Sequence, residues 1–217
     1  MTYQAICNFG SDKMMLMERS GSTLEIEVKL RVVSADQARA LLGRLPATPD
    51  EGRLFEDNEI YDTPDGTLRQ AHRLLRLRIA GHRGLITYKE KVDTDLHAKV
   101  RAEIQTEVES PDAARAILLK LGFVRVYRYQ KHRSCFVWTD PGGSELAISL
   151  DETPIGVYLE LEGPAPVIDR AAGRMGFTRT DYILDDYHSL HQSWLEQEGL
   201  PEGDMVFVTP QAGPDRP

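Results

Sequence analysis

The sequence predicts an α+β domain in which about eight antiparallel strands are enough to close into a barrel, with helices packed outside. Several stretches alternate charged and apolar residues with a period of two, which is typical of β-strands. The segments between most of these stretches are as short as hairpin connections, for example Gly81–Gly84. Helix-like segments opened by serine or proline separate or follow the strands.

The clearest strand is the octet Leu24–Arg31. Successive side chains of a strand point to opposite faces, so the octet has one charged face and one apolar face. The charged face consists of Glu25, Glu27, Lys29 and Arg31. These charges either face solvent on the outside of a sheet or line a cavity that holds a metal and an anion. The octet alone does not decide between the two.

The remaining elements follow from alternation, helix caps and turn residues. Further strands are predicted at about Arg53–Tyr61, Arg73–Ala80, Leu85–Lys91, Lys99–Glu109, Phe123–Trp138, Glu145–Asp151 and Val157–Gly163. Helices are predicted at about Ser34–Leu45, Ser110–Leu121, Val167–Met175 and Leu184–Glu198. Residues 1–21 are predicted to be a flexible leader, 22–199 a single domain, and 200–217 a disordered tail rich in proline and glycine.

Composition narrows the class of protein. The chain has 217 residues, of which 41% are hydrophobic and 28% charged, as in ordinary soluble domains. Its net charge of -8 argues against a general nucleic-acid binder. It has no apolar run of about 18 residues and no secretion signal at its start, so we expect a cytoplasmic protein without a membrane span.

The charged faces recur on most of the predicted strands, and their signs are segregated. Carboxylates come from the first strand and the last hairpin, as Glu25, Glu27, Asp151, Glu160 and Glu162. Cations come mostly from the middle strands, as Arg76, Arg78, Lys89, Arg101, Lys131 and Arg133. Carboxylate oxygens suit Mg²⁺ or Mn²⁺, while arginine forks suit phosphate, so a triphosphate with its metal would satisfy both sets.

Three interpretations of these faces remain open at this point. The charges could be solvated, they could line the lumen of an outer-membrane barrel, or they could line a tunnel for a polyanion. The missing signal peptide, the aromatic content of 7% and the capped, charged helices argue against the membrane barrel.

An ordered set of motifs resembles the CYTH superfamily, the triphosphate tunnel metalloenzymes. Glu25–Lys29 is similar to the ExExK signature of that family. The resemblance covers about Leu24 to Trp194 and includes Leu75–Arg78, Thr87–Lys89, Arg101–Glu103, Lys131–Arg133, Leu150–Asp151 and Leu159–Glu162. The segment Leu121–Val124, ahead of Lys131 and Arg133, is most similar to the class IV adenylyl cyclase branch.

The resemblance implies an eight-stranded tunnel that binds a triphosphate with Mg²⁺ or Mn²⁺. The implied metal ligands are Glu25, Glu27, Asp151, Glu160 and Glu162. The implied phosphate-binding and catalytic residues are Lys29, Arg76, Arg78, Lys89, Arg101, Lys131 and Arg133. Two features depart from the family pattern. No lysine follows Lys131, and an aromatic-histidine element before the signature is absent.

The expected function is metal-dependent hydrolysis of a small-molecule triphosphate. Cyclisation of ATP by a class IV adenylyl cyclase is the main alternative, and it ranks second because the sequence contains no evident adenine or ribose pocket. A non-catalytic module that binds polyphosphate or nucleotides is the third, although simple anion binding would not require the acidic pairs. No nucleic-acid or membrane partner is expected, and a homodimer is compatible with the sequence.

Overall fold

The computed structural model describes residues 23–94 and 97–208. The strands are β1 Thr23–Val32, β2 Thr48–Asp62, β3 Arg73–Ala80, β4 Arg83–Lys91, β5 Lys99–Val108, β6 Val124–Thr139, β7 Glu145–Thr153 and β8 Gly156–Glu162. The helices are α1 Ala35–Leu42, α2 Thr67–Gln70, α3 Pro111–Lys120, α4 Ala165–Met175 and α5 Tyr187–Glu198.

The strands form a closed barrel in the order β1-β5-β4-β3-β2-β6-β7-β8, and every neighbouring pair is antiparallel. β1 closes the ring, because it pairs with β5 on one side and with β8 on the other. In these ladders Glu25 lies opposite Arg101, and Glu27 lies opposite both Lys99 and Glu162. The predicted α+β barrel is therefore confirmed.

The alternation places the apolar faces outside the barrel and the charged faces inside it. Val28 and Leu30 of β1 are fully buried in one cluster with Leu41 of α1 and Ile168 of α4. On another side, Ala114 and Leu118 of α3 pack in a second cluster with residues of β3 and β4. Since the helices cover the outer faces, the hydrophobic core surrounds the barrel and leaves its interior to the charged side chains.

The helices begin at the caps that the sequence indicates. The Ser34 and Ser110 side chains accept hydrogen bonds from the backbone N–H groups of Gln37 and Ala113, at 3.2 Å each. No helix within the described ranges is long and apolar enough to cross a membrane.

Several elements differ from the sequence-based expectation, and α5, for example, begins at Tyr187 instead of Leu184. β2 begins at Thr48 instead of Arg53, with register shifts against β6 that hide the alternation of residues 49–54. The helix α1 ends at Leu42 instead of Leu45. The short helix α2 was not predicted; its first turn is held by the Asp62 carboxylate, which accepts from the backbone N–H groups of Leu68 and Arg69 at 2.8 and 3.0 Å.

Part of the expected disordered tail packs against the barrel. The Met205 side chain is 1% exposed, and its backbone exchanges hydrogen bonds with Arg128 and Gln130 of β6 at 3.0 and 2.8 Å. The prediction of disorder from residue 200 is therefore wrong for residues 200–208, because one buried methionine and this short bridge anchor them. Residues 209–217 and the predicted leader 1–21 lie outside the described residues.

Candidate active site

A cavity of about 810 Å³ occupies the barrel interior and reaches the end that carries Asp62, Arg73, Lys91 and Lys99. Ten of the predicted site residues line it, namely Glu25, Glu27, Lys29, Arg76, Arg78, Lys89, Arg101, Lys131, Arg133 and Glu160. Asp151 is fully buried behind Lys131 and Arg133, and Glu162 lies beside Glu27 on the neighbouring strand. The barrel therefore brings the whole predicted set into one interior.

One region of the interior, which we call the acidic corner, consists of Glu25, Glu27 and Glu162. Burial, reinforced by the neighbouring carboxylates, raises the pKa of Glu25 to about 7, although Lys89 opposes the shift. Burial and the charge of Glu25 likewise raise the pKa of Glu162 well above its usual value. Ionisation of Glu25 and Glu162 is therefore disfavoured, and a bound cation would favour it.

Lysines bridge the acidic corner to the rest of the lining. Lys89 Nζ lies 2.6 Å from a Glu25 oxygen and 3.1 Å from Glu103. Lys29 Nζ lies 3.1 Å from Glu27 and 3.3 Å from Glu160. Burial would raise the pKa of Glu27, but the charges of Lys29 and Lys99 outweigh burial, so the pKa falls and this carboxylate stays ionised.

A second region, which we call the basic wall, consists of Arg76, Arg78, Lys131 and Arg133. Two of these cations are held by Asp151, whose oxygens lie 2.9 Å from Lys131 Nζ and 2.6 Å from Arg133 Nε. Arg133 also pairs with Glu160, and Arg78 pairs with Glu56 at 3.2 Å. These contacts fix the wall rigidly, because each cation is buried and paired with at least one acceptor on a different strand.

The basic wall carries more positive charge than its partners cancel. Burial opposes ionisation of Tyr129, yet Arg76, Lys131 and Arg78 outweigh it and lower the pKa of that phenol. Burial and the neighbouring Arg76 lower the pKa of Arg78 as well. Two buried donors on this side, Arg76 Nε and Asn58 Nδ2, have no hydrogen-bond partner within the described chain. The wall therefore presents unused donors and positive potential, which suit an anion.

Tyr187, at the start of α5, enters the site from outside the barrel. Its hydroxyl donates to Asp151 at 2.7 Å, and its ring packs against Tyr129 and Tyr158. The ammonium groups of Lys29 and Lys131 lie 5.5 and 5.2 Å from the ring centre. Tyr187 thus braces the acidic and basic residues from one side of the cavity.

Several lining residues were missed by sequence reasoning. They are Glu56 and Asn58 of β2, Lys99 of β5, Tyr129 of β6, and Tyr187. Lys99 and Tyr129 share the strand parity of the predicted residues Arg101 and Lys131, so strict alternation could have found them, whereas no predicted site residue set the inward parity of β2. Tyr187 lies on a helix that contacts the barrel only through the tertiary fold, and no sequence signal marked it.

The carboxylates divide into two groups with respect to metal binding. No set of three histidine, cysteine or carboxylate side chains in residues 23–94 and 97–208 is already gathered around one point. Asp151 and Glu160 are each engaged by Arg133 as well as by a lysine, whereas Glu25 and Glu27 pair with lysines alone in the described chain. Glu162 forms no ion pair within the described residues, and with Glu25 and Glu27 it supplies the oxygen donors that a hard cation prefers.

The chain belongs to the CYTH family, since residues 23–180 match the CYTH domain. A protein of Methanocaldococcus jannaschii, named as a putative adenylate cyclase, is 27% identical over 182 residues, which cover 82% of this chain and 99% of that protein.

Two solved structures share the fold. The structure of a putative adenylate cyclase from Vibrio parahaemolyticus matches with a TM-score of 0.64 at 21% identity, covering 78% of this chain and 98% of that one. A Pyrococcus horikoshii protein matches with a TM-score of 0.64 at 22% identity, covering 78% of this chain and 99% of its own.

Proposed function

We propose that the protein is a divalent-metal-dependent enzyme that hydrolyses a triphosphate inside the barrel. The observation that carries this proposal is that the acidic corner and the basic wall face one cavity, each with uncompensated charge. A cation bound to a polyanion would neutralise both regions at once. A module that only binds anions would gain nothing from buried carboxylates beside its ligand.

Glu25, Glu27 and Glu162 would hold Mg²⁺ or Mn²⁺, because their donor atoms are carboxylate oxygens and Glu162 is unpaired within the described chain. When bound, such a cation neutralises phosphate charge and polarises the phosphorus–oxygen bond that breaks. We assign Asp151 and Glu160 a different role from metal binding, since they position Lys131, Arg133 and Lys29.

The basic wall would bind the phosphate oxygens and orient the chain of phosphates. Arg76 and Arg78 present planar forks, and the unpartnered Arg76 Nε is free to donate to a phosphate oxygen. In hydrolysis, water attacks the terminal phosphorus and its bond to the bridging oxygen breaks, so negative charge accumulates on the leaving diphosphate. Lys131 and Arg133 would stabilise that charge electrostatically.

Cyclisation of ATP is a second candidate, and the mouth of the cavity favours it. Ile60, Leu74, Tyr127 and Leu184 give the mouth apolar and aromatic surface, which suits a nucleoside base better than a phosphate. The names of two relatives point to the same activity. In this reaction the ribose 3′-oxygen attacks the α-phosphorus, and pyrophosphate leaves.

One assay separates these functions. The purified protein is incubated with Mg²⁺ or Mn²⁺ and with inorganic triphosphate, ATP or thiamine triphosphate, and phosphate, pyrophosphate and cyclic AMP are measured. Metal-dependent release of phosphate supports the proposal. Cyclic AMP from ATP without phosphate release favours the second candidate, and a lack of turnover with every substrate contradicts both.

A pair of matched variants tests the metal site. Glu27→Gln should reduce metal-dependent turnover by about 100-fold or more, since it removes one charged ligand. Glu90→Gln is the control, because Glu90 is a half-exposed glutamate on β4 that does not line the cavity and contacts Arg73 at 3.8 Å and the Tyr88 hydroxyl at 3.0 Å. Full activity in the Glu27→Gln protein would show that the metal assignment is wrong.

A further inference from the structure

Lys99 is a cavity-lining cation that the described protein leaves without a hydrogen-bond acceptor. It lies on β5 directly opposite Glu27, and its side chain is 14% exposed. Its one ion pair in residues 23–94 and 97–208 is with Glu27, at 3.6 Å. A lysine ammonium has three donors, so a single contact at this distance leaves most of its hydrogen-bonding capacity unused.

Glu27 already has a nearer counter-ion than Lys99. The Lys29 ammonium already donates to the same Glu27 oxygen at 3.1 Å, and that lysine is more deeply buried than Lys99. A second lysine beside one carboxylate adds a repulsive contact with the first lysine. Burying a largely unpaired ammonium costs free energy unless another anion is present.

A second carboxylate near Lys99, that of Asp186, is also engaged by other groups. The Asp186 carboxylate caps α5 by accepting from the backbone N–H and the hydroxyl of Ser189, at 2.9 and 3.0 Å. It also lies 3.7 Å from Arg101 Nη2, and Arg101 is a further cation next to Lys99. Among the described residues, Lys99 therefore lies between two cations, and both Glu27 and Asp186 are engaged by other donors.

The barrel topology gives Lys99 a distinct position. In the closed eight-strand order, β5 and β6 are separated by four steps in either direction around the ring. Lys99 therefore projects into the cavity from the side opposite Lys131 and Arg133. A polyanion lying along the cavity would meet Lys131 and Arg133 on one side and Lys99 on the other.

We propose that Lys99 is a further anion-binding residue, which contacts a phosphate group of the ligand from the side opposite Lys131 and Arg133. The identification of that ligand as a triphosphate rests on the proposed function. The inference about Lys99 itself rests on its unsatisfied ammonium, its place in the cavity and the neighbouring positive charges.

The test compares Lys99→Met with Lys120→Met, an exposed position on α3 that makes the same change in net charge. Inorganic triphosphate, without metal, is titrated by calorimetry, and the melting temperature is measured with and without it. Lys99→Met should weaken binding by about tenfold or more, the usual cost of losing one charge-assisted contact. It should also reduce the rise in melting temperature caused by triphosphate, while the control matches the wild type and Lys99→Arg restores part of the affinity.

The ligand-free proteins distinguish binding from a structural role. If Lys99 serves the ligand, its removal leaves the melting temperature of the ligand-free protein unchanged or higher. A clear fall in that temperature, or triphosphate affinity equal to the wild type, would overturn the proposal and make Lys99 a structural counter-ion of Glu27. Turnover is measured in parallel. Binding that depends on Lys99 without hydrolysis would support the inference while contradicting the proposed enzyme, and a wild type that binds no triphosphate would overturn both.

Discussion

Replacing Asp151 by asparagine is the sharpest test of how the charged interior is stabilised. Asp151 is fully buried and receives hydrogen bonds from Lys131, Arg133 and the Tyr187 hydroxyl. The substitution preserves the size of the side chain but removes the one negative charge that these groups share. Lys131 then keeps only Glu56, whose nearer oxygen lies 3.7 Å away.

The expected cost follows from the loss of a buried counter-ion. Removing one partner of a buried ion pair typically destabilises a protein by about 3–5 kcal/mol, because the other charge remains buried without compensation. Arg133 retains Glu160, which moderates the loss, so we expect about 3 kcal/mol. Asp57→Asn is the control, since the Asp57–Arg128 pair is partly exposed and should contribute about 1 kcal/mol or less.

Urea unfolding followed by the fluorescence of buried Trp138 measures both variants. Saturating inorganic triphosphate should recover part of the stability of Asp151→Asn, because the added anion replaces the missing charge beside Lys131 and Arg133. If Asp151→Asn loses no more free energy of unfolding than Asp57→Asn, the idea that this carboxylate holds the basic wall is refuted.

Three further outcomes are expected. Burial raises the pKa of Glu25 from 4.5 to about 7, so the metal-free folded state binds the Glu25 proton more tightly than the unfolded chain does. The free energy of unfolding of the protein should therefore fall by about 3 kcal/mol between pH 4.5 and 7. Glu25→Gln should remove that decrease in urea titrations across the range. Tyr187→Phe should lower the free energy of unfolding by roughly 1.5–3 kcal/mol, because it leaves a buried carboxylate with one donor fewer. Tyr88→Phe, which removes a partly exposed hydroxyl, should lower it by less than about 0.5 kcal/mol in the same measurement. Leu159→Ala should lower the free energy of unfolding by about 2–5 kcal/mol in calorimetric or urea unfolding, because this fully buried side chain packs in the core outside the barrel. A loss below about 1 kcal/mol would contradict that placement.

The strands were predictable where one face is purely charged and the other purely apolar. β1 follows that rule along its length and β3 follows it from Leu75 to Ile79, and the predicted bounds of both strands agree with the structure to within one residue at each end. The start of β2 was not predictable, because its register against β6 shifts between Pro49 and Leu54, so no single alternation describes it. Helix α2 depends on a carboxylate that caps it from the end of a strand, which is a contact that sequence periodicity does not report.

The membership of the site was easier to predict than its organisation. Strand parity and the ordered motifs predicted which charged residues share the interior, but they did not predict how those residues pair. Asp151 and Glu160 carry carboxylates like those of the acidic corner, and their contacts with Arg133 are the reason that we assign them a positioning role instead of a ligand role. Tyr187 could be assigned to the site only from the tertiary fold, because α5 meets the barrel after a connection of irregular backbone.

Closure of the ring through β1 has a consequence for how the protein folds. The first strand must pair with β8, which is about 130 residues later in the chain, and such distant pairings form slowly. Until they form, the inward-facing carboxylates and cations remain hydrated in an open sheet. Their dehydration is then concentrated in the last step of folding, so we expect the refolding rate to respond to salt and to multivalent anions more strongly than in a barrel filled with hydrocarbon.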